Sequence, residues 1–150
     1  MKSYTDLEQS KKLAEILPNE SADMHYIIVG TNEEPKHIVG LGEYIGILPS
    51  IPCWSLAALL EFLPYTIKLS RDTIDANGNP VYKNECYKFS INRCGLFGDK
   101  WNIQYYGKYQ RQLGKRYKEL YIDLFLSENY DNLIDACYEM ILKLNELKLL

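Results

Sequence analysis

The last 19 residues, 132–150, are the stretch that most limits what this chain can fold into. Leu133, Ala136, Cys137, Met140, Ile141, Leu144 and Leu147 recur at the three- and four-residue steps that line one face of a helix of about 3.6 residues per turn. No glycine or proline interrupts the run. Asn132 can cap its start, and Asp135 stands where a carboxylate favours the free N–H groups of the first turn. A helix with such a stripe must bury it against a partner surface. The chain therefore folds compactly around its own C-terminus.

Length and composition narrow the class further. A chain of 150 residues fits one ordinary domain, and a domain of that size buries about 70% of its unfolded surface. Apolar residues at 47% and charged residues at 25% exclude neither a core nor a solvated surface, and they argue against disorder. The 13 tyrosines are the deviation, and their rings suit half-buried sheet faces and contact surfaces where the hydroxyl stays wet. Residues 1–12 are polar and lack the basic-then-apolar pattern of a secretion signal. The longest apolar stretch, residues 51–60, is too short for the roughly 20 residues a membrane helix needs. The expectation is a cytoplasmic protein without a membrane segment, in which Cys53, Cys86, Cys94 and Cys137 are reduced thiols.

Along the chain, Thr5 and Glu8 fit a capping box opening a first helix that shares Leu7, Ala14 and Leu17 on one face and ends at Pro18. Residues 26–30 and 37–47 read as two short strands around a polar turn. A second helix over residues 53–62 is apolar all round, from Trp54 to Phe62, with Glu61 as its only charge, which predicts a buried helix. From Thr66 the period becomes two. Ile67 and Leu69, then Tyr87, Phe89 and Ile91, flank the turn cluster of residues 75–80 and predict a hairpin. Trp101, Ile103 and Tyr105 predict a third strand. Leu120, Ile122, Leu124 and Leu126 predict a fourth, although Leu120, Tyr121, Leu124 and Phe125 would also suit a helix. No repeat or linker marks a domain boundary.

Patterns that could carry chemistry mostly resolve into structure. Asp75, Asn77 and Asn79 have the alternation of a calcium loop, but the glycine falls too early and Cys86 stands where a bidentate glutamate is needed, so a turn is expected. Gly40, Gly42 and Gly46 do not open a helix, and so read as relief for a bent strand, not a phosphate loop. His25 and His37 flank a turn and could face each other, with Cys86 and Cys94 nearby, yet no spacing fits a tetrahedral zinc. Cys53 stands beside a helix start, where its pKa could be lowered, though packing is the plainer role. Carboxylates such as Asp23, Glu43 and Asp123 are all that a small enzyme could draw on. No catalytic residue, metal or cofactor is assigned.

Charge is unevenly spread. Residues 81–120 hold nine basic side chains against three acidic ones, a local +6 in a chain whose total is −3. Aromatic residues are interleaved with them. Basic groups neutralise phosphates and aromatic faces stack on unpaired bases, so this segment could hold a single strand of nucleic acid. Tyr, Trp and Arg also dominate protein contacts. The predicted binding surface comprises Arg93, Lys100, Trp101, Tyr105, Tyr106, Tyr109, Arg111, Lys115 and Arg116.

Three segments carry a resemblance: residues 3–18 (SYTDLEQSKKLAEILP) with 20–24 after them, residues 52–60 (PCWSLAALL) and residues 135–144 (DACYEMILKL). Together they resemble a family of small proteins, without an assigned activity, carried by gut anaerobic bacteria, their phages and integrated mobile elements. The resemblance covers the helices and little of the sheet. It implies an accessory protein of a mobile element, with a constant helical scaffold presenting a changing surface.

The sequence thus predicts an α+β fold of helix, short hairpin, buried helix, antiparallel meander and closing helix, with three helices on one face of the sheet. The expected function is that of a non-enzymatic binding protein with a protein partner. The alternative is a single-stranded nucleic-acid binder that uses residues 81–120.

Overall fold

The computed structural model describes residues 2–30, 35–42, 46–74, 80–94, 98–113, 116–126 and 128–150; for residues 35, 69–86 and 108–126 the description is of backbone and strand register. The elements in chain order are α1 (Leu7–Ala14), a single 3-10 turn (Asn19–Ser21), β1 (Met24–Gly30), β2 (Pro35–Leu41), β3 (Ser50–Cys53), α2 (Leu56–Phe62), β4 (Thr66–Ile74), β5 (Pro80–Cys94), β6 (Lys100–Leu113), β7 (Arg116–Leu126) and α3 (Leu133–Glu146). The class is α+β, as the sequence predicts. The strands, however, divide into two antiparallel sheets, ordered β2-β1-β3 and β4-β5-β6-β7. Among the described residues no helix is long and apolar enough to cross a membrane.

By its internal contacts the chain forms two compact units, Met1–Leu63 with Tyr130–Leu150, and Pro64–Asn129. In the first, α3 delivers Ile134, Ala136, Cys137, Met140, Ile141 and Leu144 to the core, all with at most 1% of their surface exposed. Leu147 is an exception, 47% exposed, and Leu133 is half-buried, so the stripe is rotated toward Ile134 from where the sequence spacing puts it. Asn132 caps α3 as expected, its Oδ1 accepting from the Asp135 N–H at 2.9 Å.

Local expectations are corrected here. The capping box of α1 belongs to Asp6 and Gln9, with Gln9 N–H donating to Asp6 Oδ1 at 2.9 Å and Asp6 N–H to Gln9 Oε1 at 3.2 Å. Thr5 is fully buried instead, and the inward face of α1 carries Ser10 and Leu13. Cys53 does not open the second helix: with residues 50–52 it forms β3, which pairs along β1 from Met24↔Cys53 to Ile27↔Ser50. Helix α2 starts only after Ser55, whose Oγ accepts from the Ala58 N–H at 3.3 Å. Its single charge, Glu61, marks with Ala57 the strip that is exposed. Trp54, which lies between β3 and α2, is nonetheless fully buried, and α2 packs on α3. Lastly, the second strand stops at Leu41.

The meander unit shows the predicted strand at residues 116–126. Hairpin β4–β5 pairs from Thr66↔Lys88 to Ile74↔Pro80; its expected turn, residues 75–79, lies outside the described residues. Between β6 and β7 a bulge breaks the register, Tyr105 standing opposite Phe125 and Tyr106 opposite Asp123. The unbroken alternation expected for residues 120–126 is thereby interrupted at Leu124.

Candidate functional site

Register decides where the predicted binding residues stand. Partners directly opposite in an antiparallel pair share a face, and successive residues alternate faces. Arg93 pairs with Trp101, Ile91 with Ile103 and Phe89 with Tyr105, so these side chains share one face. Lys100 opposite Cys94, and Tyr106 opposite Lys88, occupy the other. The first face is the buried one at its centre, with Ile67 at 4%, Tyr87 at 4% and Ile103 and Tyr105 at 0% exposure.

Tyr105 is therefore not a surface residue. Its hydroxyl donates to the Pro64 carbonyl at 2.7 Å, and its ring lies 5.6 Å from that of Phe89. The face opens toward its end, where the exposed Arg93 guanidinium sits 5.1 Å from the centre of the half-buried Trp101 ring. Lys100 and Tyr106 are half-buried on the opposite face. The side chains of Tyr109, Arg111 and Arg116, and the whole of Lys115, lie outside the described residues. Ten residues along β6 put the backbone of Arg111 roughly 30 Å from that of Trp101, at about 3.3 Å per residue. Among the described side chains, Arg93 and Trp101 share one face of the sheet, while Lys100 and Tyr106 stand on the other.

The polar face of β5 and β6 holds a side-chain ladder that sequence reasoning missed. Ser90 Oγ donates to Asn92 Oδ1 at 3.2 Å and Asn92 Nδ2 to Asn102 Oδ1 at 3.2 Å. Asn102 Nδ2 reaches both Asn129 Oδ1 at 3.0 Å and Cys94 Sγ at 3.4 Å, while the Cys94 thiol donates to Asn129 Oδ1 at 3.0 Å. The alternation Ser90, Asn92, Cys94 was its visible signal; the pairing with Asn102 was not. Among the described residues the partners of this thiol are the amides of Asn102 and Asn129, so the ladder ties β5, β6 and the segment at Asn129 together.

In the helical unit a second buried cluster gathers around Thr5. Its hydroxyl lies 2.7 Å from Ser10 Oγ and accepts the Trp54 N–H at 3.2 Å, while Tyr26 Oη donates to the Thr5 carbonyl at 2.8 Å. Burial pushes the Tyr26 hydroxyl up to about 12. The same cause raises the Cys53 thiol, which therefore is not the activated cysteine its position beside a helix could suggest. Cys137 is pushed up to about 12 by burial alone. The two histidines stand on opposite faces of the β1–β2 hairpin, since His25 is opposite Gly40 and His37 opposite Ile28. Gly40 is small for a reason: a Cβ there would lie 3.3 Å from Ile27 Cδ1.

Asp23 and Ser55 make a further polar pair. Ser55 N–H donates to Asp23 Oδ1 at 2.8 Å, and the Ser55 hydroxyl donates to Asp23 Oδ2. No histidine joins them among their bonding partners, and Ser55 also caps α2, so the pair anchors a helix start. No known protein family, no curated protein and no solved structure matches the chain. The chemistry visible among the described residues is that of contact and positioning, carried by a small α+β scaffold with a separate four-stranded meander.

Proposed function

We propose that this protein is a cytoplasmic, non-enzymatic binding module, an accessory protein of a mobile element or phage, that engages a protein partner through the meander unit. The observation that carries this reading is Arg93 stacked over Trp101 at the open end of the sheet face. Arg and Trp are the residue types on which contact energies concentrate, and a guanidinium held against a ring is pre-ordered for a partner. The segments that resemble the mobile-element family, residues 3–24, 52–60 and 135–144, all belong to the helical unit. That placement supports a constant scaffold whose separate meander is free to vary.

A photo-crosslinking residue at position 101, tested in cells of a natural host, should give a discrete adduct with one protein, and Arg93→Ala should reduce it at least tenfold. Absence of any discrete adduct at positions 93 and 101 would overturn the reading. A second reading, nucleic-acid binding by residues 81–120, is favoured by a different observation, the strand register beyond Tyr106.

A further inference from the structure

Pairing between β5 and β6 runs from Cys94↔Lys100 to Lys88↔Tyr106 and, among the described residues, goes no further. Beyond that point β6 pairs with β7 alone, through Gly107↔Ile122, Lys108↔Tyr121, Tyr109↔Leu120, Gln110↔Glu119, Arg111↔Lys118, Gln112↔Tyr117 and Leu113↔Arg116. These seven pairs make a two-stranded ribbon about 20 Å long, with no third strand beside it among the described residues. An isolated two-stranded ribbon is marginally stable in water.

Its sequence makes the ribbon less stable still. Between positions 107 and 122 there are five basic residues, Lys108, Arg111, Lys115, Arg116 and Lys118, against one acidic one, Glu119. The register sets Arg111 directly opposite Lys118, and like charges directly opposite in a sheet repel. Five positive charges in a chain of net −3 leave −8 for everything else. A segment that repels itself, set in an otherwise acidic chain, gains stability when a polyanion neutralises it.

We infer that the β6–β7 ribbon, through Lys108, Arg111, Arg116 and Lys118, binds double-stranded DNA. This inference rests on the nucleic-acid reading and changes its ligand from a single strand to a duplex. The B-form major groove is about 12 Å wide and admits a two-stranded ribbon, whereas the deep, narrow groove of an RNA duplex does not.

The test is fluorescence anisotropy of the full chain with a labelled DNA duplex of about 20 base pairs, its single strand and an RNA duplex of the same sequence, at about 50 mM salt and upward. The duplex DNA should bind most tightly, with a log–log salt slope of about −4. Arg111→Ala with Lys118→Ala should weaken binding at least tenfold and flatten the slope by about 2, and Arg116→Gln with Lys108→Gln, toward the two ends of the ribbon, should do the same. Arg111→Glu, which places opposite charges across the ribbon, should abolish binding while raising the thermal midpoint. Equal or tighter binding of the single strand would overturn the duplex inference and leave the nucleic-acid reading standing. No binding to any of the three at about 50 mM salt would overturn both. Competition by polyglutamate as effective as by unlabelled duplex would overturn the inference in favour of an acidic protein.

Discussion

The helical unit and the meander are held together by different means. In the helical unit, distant parts of the chain supply one interior: Leu13 from α1, Cys53 and Trp54 from the β3 end, Leu59 from α2, and Met140 and Leu144 from α3 are all fully buried. The chain's two ends are also tied by polar bonds, with Lys2 Nζ and Gln9 Nε2 each donating to Asp135 Oδ1 at 2.8 Å. The meander is consecutive in sequence, and each strand pairs with its neighbour in the chain. Because loop-closure cost rises only slowly with length, a unit closed by its ends tolerates a long insertion between them.

The largest expected effect lies in the shared interior. Trp54→Ala should cost about 3–5 kcal/mol in chemical denaturation, because the ring is fully buried although it lies outside any helix. A variant that melts at the wild-type midpoint would mean that this interior does not hold the unit. Thr5→Val should cost about 1–3 kcal/mol, since it keeps the shape but removes the acceptor of the Trp54 N–H. In the meander, Tyr105→Phe removes the bond to the Pro64 carbonyl and should cost about 1 kcal/mol, which leaves the sheet intact by circular dichroism.

The bond between the chain's ends can be probed by pH. Burial opposes the charge on Asp135, but the bonds from Lys2, Gln9 and Asn132 outweigh it and hold the carboxyl below the usual range. A depressed carboxylate stabilises above its unfolded pKa of about 3.9 and loses that contribution as pH falls through its lower folded value. Lys2 is raised, its bonds to Asp135 and Asp6 outweighing burial, so its share is present below about pH 10.4 and is lost on going higher. Asp135→Asn should therefore flatten the acid limb of the stability profile, by under about 1 kcal/mol for so exposed a cluster. Smallest of all, Arg111→Ala should change stability by under about 0.5 kcal/mol, with a stabilising sign from relief of its repulsion with Lys118. A loss of more than this would argue against the register that sets those two charges opposite each other.

Local chemistry determined much of the architecture. The spacing and cap of α3, the alternation in β4 to β6 and the α+β class follow from periods of about 3.6 and 2 and from side chains that satisfy nearby N–H groups. Choices between neighbours did not. Thr5 and Asp6 are both good caps, and only the packing of Thr5 against Ser10 and Trp54 assigns the cap to Asp6. Residues 50–53 are apolar enough for helix or strand, and the edge of β1 decides for the strand. The residues proposed for binding were legible as composition alone. Cross-strand register, a property of pairs far apart in sequence, put Trp101 and Lys100 on opposite faces, buried Tyr105, and set Arg111 against Lys118.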